Sequence, residues 1–373
     1  SGVVLVQIVL VVLSVIALFK LTCLLTASRT TATLAALVYL FLPHTLVFPH
    51  QLASEGIFVP LIVFSFYFLA HYLAGRMAAS YLLLSALMVG LAGLVRAISI
   101  LWPLVALALA VVFLRPRFLV RHWLGYLILA FLPLFVWMSF NFVSTGRFTM
   151  GQWNSSLTRN LHLRVELISR TLSAPEEEHV QDRYLNLDAP KEQRLLGPGQ
   201  YLVFAYEYPL AFLKHLGRDV AMFVGKSGLN KFTLYYLEAF PEARSDIQDK
   251  EMPWRRRLEQ EGALAVVQHY WRTQAPMLLL AGVGALAFLA FVAFAGYGAV
   301  LCMGARLPGL DAAGSRYFAV AMAAFPLYIL SGSVAASSMQ SRHRAPAEFA
   351  LCFFFAIAVV HVRQAWPRIW NRA

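Results

Sequence analysis

Glu55 is the residue whose position most needs a chemical explanation, because it lies between two long apolar stretches of the sequence. A carboxylate at such a depth is costly unless it is paired, hydrated or used in a reaction. Glu55 could act as a general base, as a metal ligand, or as an acid that orients the reacting group. The other interpretation is a salt bridge to Arg96 or Arg344.

Other polar residues are expected at the same level, where neighbouring apolar stretches end. Arg96 directly follows one of them, and it either anchors a helix end or contacts a phosphate, which a guanidinium matches with two parallel hydrogen bonds. The triplet Arg342, His343 and Arg344 indicates an anionic headgroup or lipid phosphate, or else ordinary contact with surface lipid. The supporting candidates are His50, Gln51, Asn141 and Arg147.

A metal ion stays an open question at this stage. His50 precedes Glu55 by five residues, and a His/Glu pair can hold a divalent ion, but two ligands do not make a site. A purely structural histidine is the other interpretation of His50.

The composition predicts an all-α, polytopic membrane helix bundle. The chain has 373 residues, is 60% hydrophobic and has a mean hydropathy of +0.65. Its apolar residues come in runs of roughly 20, about the length of helix that spans a bilayer. Gly90 and Gly93 should let neighbouring helices approach closely. The nine predicted spans are Val3–Leu25, Ala32–Phe48, Gly56–Ala74, Ala78–Leu94, Ile98–Leu114, Trp123–Val143, Met277–Met303, Tyr317–Val334 and Phe349–Val362.

The distribution of acidic residues divides the chain into three parts. Of 19 Asp and Glu residues, 16 lie between Ser144 and Pro276. We therefore predict an N-terminal membrane bundle of six spans (1–143), an extracytoplasmic insert (144–276) and a C-terminal membrane part of three spans (277–373). Within the insert, Ala174–Gly199 is interpreted as a loop, whereas Tyr201–Val224 and Pro253–Thr273 are amphipathic and predict juxtamembrane helices.

The short loops predict the orientation in the membrane. Most of their arginines fall on one side, which the positive-inside rule places in the cytoplasm, and the insert then lies outside. We expect an integral protein of a bacterial cytoplasmic (inner) membrane with its large loop on the periplasmic or extracellular side. This orientation leaves Ser1 outside, so we also expect a further span and its outer loop upstream of Ser1.

The charge and the missing motifs exclude several functions. The net charge of +12 does not indicate nucleic-acid binding, because the insert has 17 Lys/Arg against 16 acids and the surplus flanks the membrane spans. The sequence has no Gly-rich phosphate loop, Ser/His/Asp arrangement or paired-cysteine motif, which argues against a nucleotide-driven enzyme. A reaction at the outer face would then use an activated donor, and a lipid-phosphate-linked sugar fits.

Five stretches resemble the C-type membrane glycosyltransferases, and in particular the bacterial relatives of dolichyl-phosphate-mannose protein mannosyltransferases and of lipid A aminoarabinose transferase. Each is weak alone, but their order and spacing are specific. They are Leu52–Phe58, Gly90–Arg96, Trp137–Phe148, Glu207–Lys214 and Ser341–Glu348. One departure is Ser139, because relatives often have Arg just before the Asn that corresponds to Asn141.

The resemblance implies a polyprenyl-phosphate-linked sugar donor, membrane lipids around the site, and a lipid, glycan or protein acceptor at the outer face. The family's principal catalytic Asp lies in its first outer loop, which is not seen in this sequence. By position, Glu55 would be the second active-site acid, and Arg96, Arg342, His343 and Arg344 would contact the donor phosphate or headgroup. A divalent metal ion could assist. The alternatives are a transporter or flippase of lipid-linked substrates and a non-catalytic scaffold subunit.

Overall fold

The structure is a computed structural model that describes only part of the chain. The described residues are 2–50, 53–75, 78–114, 120–146, 148–150, 153–185, 196–225, 283–284, 286–336 and 345–370. Every regular element within these ranges is a helix, which confirms the all-α prediction.

The membrane part of the described chain contains long apolar helices joined by short connections. Those before the insert are α1 (Gly2–Thr26), α2 (Arg29–Phe41), α3 (Pro43–Val47), α4 (Glu55–Ala74), α5 (Ala79–Val95), α6 (Trp102–Phe113) and α7 (Val120–Thr145), with 3-10 turns at Phe48–His50 and Ala97–Ser99. Those after the insert, which contains α8–α11 (below), are α12 (Leu286–Gly304), α13 (Ala312–Ala336) and α14 (Ala345–Trp370).

Six of these helices, α1, α4, α7, α12, α13 and α14, are long and apolar enough to cross a membrane. The shorter apolar helices α2, α5 and α6 occupy the remaining predicted spans. The prediction of a polytopic membrane bundle is therefore confirmed, while the number of nine spans stays a prediction.

One predicted span is shorter than expected. The second was expected to run from Ala32 to Phe48, but α2 ends at Phe41 and a separate short helix begins at Pro43. Proline lacks an amide hydrogen and disfavours the helical conformation of the preceding residue, so the helix breaks at Leu42.

The bundle is held together by close helix packing. Helix α4 packs against α1 and α5, α5 packs against α7, and α14 packs against α2 and α13. Gly90 permits the α5–α7 contact, since a Cβ atom there would lie 2.4 Å from the backbone oxygen of Ala130. Gly93 has more room, because a Cβ atom there would meet its nearest neighbours at 3.6 Å. The prediction of close approach is thus confirmed at Gly90.

An aromatic cluster fills the middle of the bundle. Phe66 of α4 lies with its ring centroid 5.3 Å from those of Phe325 and Phe349, and 5.8 Å from that of Trp102. These side chains join four helices in one buried layer. Lipid is as apolar as phenylalanine, so tight packing rather than exclusion from water holds this layer together.

The insert differs from its prediction in two places. Ala174–Gly199 was interpreted as a loop, yet α9 spans Ala174–Tyr184 and α10 begins at Pro198. The start of α9 is stabilised by Glu176, whose carboxylate accepts hydrogen bonds from the backbone N–H and the hydroxyl of Ser173 at 3.1 and 2.6 Å. That contact lowers the pKa of Glu176, first through the hydroxyl and then through the backbone amide.

The amphipathic stretch Tyr201–Val224 is two helices rather than one. Helix α10 (Pro198–Glu207) ends at Glu207, and α11 (Pro209–Gly225) begins with the proline that interrupts the hydrogen-bond ladder. The second predicted helix, Pro253–Thr273, lies outside the described residues. The membrane-surface location of these helices stays a prediction.

The described part of the insert has its own small core. Apolar side chains of α8 (Trp153–Ser169), α9 and α10 form a buried cluster that includes Val165, Val180 and Phe204. Tyr184 of α9 donates to the Glu207 carboxylate of α10 at 2.6 Å, and burial and this contact raise the pKa of Tyr184 to about 12. Helices α8 and α11 also contact α13, so the insert packs on the membrane part. The predicted boundaries of the three parts remain untested.

Candidate active site

Glu55 is the first residue of α4, one position before the predicted start of this span, and its side chain is buried. The first turn of a helix exposes N–H groups that carry partial positive charge, which favours a carboxylate there. The hydroxyl of Ser54 donates to Glu55 Oε2 at 3.3 Å. The local backbone therefore offers part of the stabilisation that a buried acid needs.

Arg96 supplies the rest through an ion pair. Its Nη1 atom lies 2.7 Å from Glu55 Oε1, and the two side chains are 21% and 6% exposed. Helices α4 and α5 run antiparallel, so the start of one meets the end of the other. The guanidinium also lies over the ring of Phe58, 5.9 Å from its centroid, which adds a cation–π contact. Arg96 and Arg344 were both proposed as partners of Glu55, and the structure shows the ion pair with Arg96.

The N-terminal part of α1 holds the segment that leads into Glu55. Gln7 donates from Nε2 to the backbone oxygen of Ala53 at 2.9 Å. Gly56 permits this approach, because a Cβ atom there would lie 3.0 Å from Cδ of Gln7. The start of α4 is thereby fixed relative to α1.

A second buried pair lies at the same end of the bundle. His44 Nδ1 and Glu348 Oε1 are 2.8 Å apart, and both side chains are 2% exposed. His44 lies in α3, and Glu348 lies in the first turn of α14, where the helix N-terminus again favours a carboxylate. Neither residue is among the site candidates predicted from the sequence.

The two acids share one cavity. About 10 Å³ of it is open to the centre of a water molecule, which is room for roughly one water. Its lining combines both carboxylates with His44 and with the hydroxyl-bearing side chains Tyr39 and Thr45. The other lining residues are Val11, Pro49, Gly56, Val59 and Ala345. The cavity therefore has acids on two sides, one neutralised by Arg96 and the other paired with His44.

Two of the predicted supporting residues do not line this cavity. His50 is exposed, and the lining stops at its neighbour Pro49. Asn141 instead holds the turn after α7, since its Nδ2 donates to the backbone oxygen of Thr149 at 2.8 Å. Among the described residues no group of three or more His, Cys, Asp or Glu is placed to hold a metal ion.

Five predicted site residues lie outside the described ranges: Gln51, Arg147, Arg342, His343 and Arg344. Their roles remain predictions. The residue that follows the triplet, Ala345, is described and lines the cavity together with Glu55.

The geometry thus defines a helical membrane protein with two paired acids at one end of its bundle. Comparison with known proteins gave one family match. A sequence model of the dolichyl-phosphate-mannose-protein mannosyltransferase family matches residues 1–140, the part that contains His44, Glu55 and Arg96. No curated protein and no solved structure gave a significant match. The match confirms the resemblance to C-type membrane glycosyltransferases over these residues.

Proposed function

We propose that this protein transfers a sugar from a polyprenyl-phosphate-type lipid donor to a lipid, glycan or protein acceptor at the outer face of the membrane. The family match supports a lipid-linked donor, because the matched family is described by its dolichyl-phosphate-mannose substrate. The orientation rests on the positive-inside pattern of the loops, which puts the Glu55 end of the bundle outside.

The observation that carries the proposal is the shared cavity of Glu55 and Glu348. Structural ion pairs need no common void, whereas a reaction needs acids that face the same small space. A sugar ring is larger than this void, so the substrates would meet the carboxylates at its mouth.

The proposed chemistry is an inverting displacement at the anomeric carbon. The acceptor hydroxyl forms the new bond to this carbon while the bond to the phosphate oxygen breaks, and the lipid phosphate leaves as an anion. A carboxylate takes the proton of the hydroxyl. Glu55 assists this step, and the family resemblance implies that an Asp is the principal base. Arg96 orients Glu55 in this scheme through their ion pair.

Arginines near the leaving phosphate would stabilise the charge that develops on it. We assign this role to Arg342 and Arg344 together with His343, and the further role of Arg96 in phosphate contact stays a prediction. A divalent metal ion could share this role, although the described residues offer no cluster for one.

The test is transfer of radiolabel from a panel of polyprenyl-phosphate sugars by the full-length protein in membranes. Glu55→Gln should lower the rate about 10²–10⁴-fold, the range for loss of a general acid–base group. Arg344→Ala should lower it as well. Glu166→Gln is the matched control, since Glu166 also pairs with an arginine, at 2.6 Å, but on the exposed surface of the insert. Activity of Glu55→Gln equal to that of Glu166→Gln would remove Glu55 from the mechanism.

The same preparation separates the remaining classes of function. A transporter or flippase would move the lipid-linked sugar across vesicles without any transfer to an acceptor. A scaffold subunit would do neither. Among the described residues, the two ion pairs with buried acids both lie at one end of the bundle, which favours the enzyme.

A further inference from the structure

A second cavity lies at the opposite end of the bundle, which we call the Arg306 end. Its volume is about 320 Å³. It opens between the last turn of α1, the first turns of α2, the last turn of α12 and the second half of α14. Its lining residues are Thr26, Ser28, Thr31, Leu301, Cys302, Ala305, Arg306, Leu307, Pro308, Ile357, Val360, His361 and Gln364.

The cavity exists because two helices meet tightly on one side of it and separate beyond that contact. A Cβ atom at Gly298 of α12 would lie 1.9 Å from the backbone oxygen of Phe354 in α14, so the two backbones touch there. One turn further along, Cys302 and Ile357 already face the cavity. The space is thus built by backbone packing.

The turn that carries Arg306 is fixed by its own hydrogen bonds. The hydroxyl of Ser315 accepts from the backbone N–H of Leu307 at 3.1 Å, and the N–H of Leu310 donates to the backbone oxygen of Leu307 at 2.9 Å. Gly309 packs against α1, where a Cβ atom would lie 1.9 Å from the backbone oxygen of Leu24. The position of Arg306 at the cavity is therefore set by an ordered turn.

The lining has the chemistry of a site for an anion with an apolar body. The described lining includes Arg306, His361 and the hydroxyls of Thr26, Ser28 and Thr31, and it contains neither Asp nor Glu. The rest of the lining is largely apolar and includes Leu301, Leu307, Ile357 and Val360. A guanidinium with nearby hydroxyl donors suits phosphate oxygens, and an apolar wall beside them suits hydrocarbon.

The surroundings indicate that such a ligand comes from the bilayer. The outer side of α12 next to the cavity is apolar and exposed, with Tyr297, Val300 and Met303 at 44%, 63% and 47% exposure. That surface is part of a helix long enough to span the membrane, so it faces lipid. A lipid can reach the cavity along it without leaving the bilayer.

We propose that the Arg306-end cavity binds the phosphate headgroup of an anionic membrane phospholipid, with one acyl chain against the apolar wall. Arg306 contacts the phosphate, and Ser28 and Gln364 offer further donors. This site is distinct from the site of the proposed sugar transfer, which is placed at the other end of the bundle.

The experiment is native mass spectrometry of the full-length protein released from micelles, with phosphatidylglycerol titrated in. We expect one phosphatidylglycerol to bind more tightly than the rest. Arg306→Gln should weaken that first binding about tenfold, as expected for loss of one charged hydrogen bond. Ala305→Phe places a large side chain on an exposed lining position and should weaken it similarly without changing any charge.

Arg316→Gln is the matched control, because Arg316 is an exposed arginine of the same end that does not line the cavity. It should leave the first binding unchanged. Equal weakening by Arg306→Gln and Arg316→Gln would overturn the proposal in favour of diffuse attraction. Equal binding of phosphatidylcholine, or displacement of the lipid by inorganic phosphate, would also overturn it. None of these results depends on sugar transfer, so this inference and the proposed function can fail separately.

Discussion

The two ends of the bundle differ in how their charged side chains are buried and paired. At the Glu55 end, two buried acids are each held by a cationic or ionisable partner around a void of about 10 Å³. At the Arg306 end, a cavity of about 320 Å³ presents an exposed arginine and no acid among its described lining residues. The first arrangement is costly in desolvation and therefore needs compensation, while the second leaves its charge in reach of lipid or water.

This difference teaches where to look for chemistry in such a protein. Burying charged groups costs stability, whereas burying hydrophobic residues does not. Paired acids around a shared void therefore indicate a functional site. An exposed arginine beside a larger cavity points to binding. The aromatic layer around Phe66 lies between, and Phe349 of that layer directly follows Glu348.

The largest expected effect on stability comes from breaking the buried pairs. Arg96→Ala or His44→Ala removes the basic partner of a buried carboxylate, which costs about 3–5 kcal/mol. Arg306→Gln at the other end should change stability by no more than about 0.5 kcal/mol, as for a surface position. Thermal unfolding in micelles measures all three.

A double replacement sharpens this prediction. Glu55→Met combined with Arg96→Met removes both charges at similar volume and should cost less than Arg96→Ala alone. If the single and double variants are equally unstable, loss of packing rather than an unpaired charge is the cause.

The next largest effect is expected at the contact of α12 with α14. Gly298→Ala forces the two backbones apart and should destabilise by about 1–3 kcal/mol, the usual cost of overpacking. It should also weaken lipid binding at the Arg306 end. Gly296→Ala is the control, because a Cβ atom there meets nothing within 4 Å. Equal unfolding temperatures of the two variants would contradict the close contact.

A smaller effect is expected from the corresponding glycine of the Glu55 end. Gly56→Ala meets the side chain of Gln7 rather than backbone, at 3.0 Å, and a side chain can turn aside. We expect a loss of stability below about 1 kcal/mol, and a lower transfer rate because Gln7 then releases Ala53. A stability loss as large as that of Gly298→Ala would show that both ends are equally rigid.

The smallest effect is a pH dependence confined to the insert. The insert follows α7 at the Glu55 end of the bundle. The pKa of Glu176 is lowered in the folded protein from its ordinary value of 4.5 by the hydroxyl and then the amide of Ser173. Its stabilising contact is therefore complete above pH 4.5 and is lost as the pH falls through the folded pKa. Amide hydrogen exchange in α9 should quicken there, after correction for intrinsic rates, and Glu176→Gln should abolish the step. An unchanged step in that variant would assign it to another group.

Much of the membrane part could be predicted from the sequence, because long apolar runs fix where helices begin and end. The meeting of Glu55 and Arg96 was also within reach, since one opens α4 and the other follows α5. His44 and Glu348 are separated by 304 positions, and helix periodicity does not say which helices are neighbours. Polar α9 was missed because it has no apolar run. Its signal was the Ser173-Ala174-Pro175-Glu176 sequence, which matches a capping box.

The backbone contact at Gly298 has a mechanical consequence for α14. Glu348 lies six residues before Phe354 and His361 seven after it, about 9 and 10 Å along the axis. If α14 rotates as a rigid helix about this contact, the parts on either side of it move in opposite directions. Binding of a ligand beside Glu348 or beside His361 should therefore displace the other part of α14. Spin labels near these two residues would report this motion as paired changes in distance. If one part stays still while a ligand binds beside the other, Gly298 only permits close packing and transmits no motion. If both parts move, binding of the lipid headgroup and binding of the sugar donor would be coupled through the rigid motion of α14.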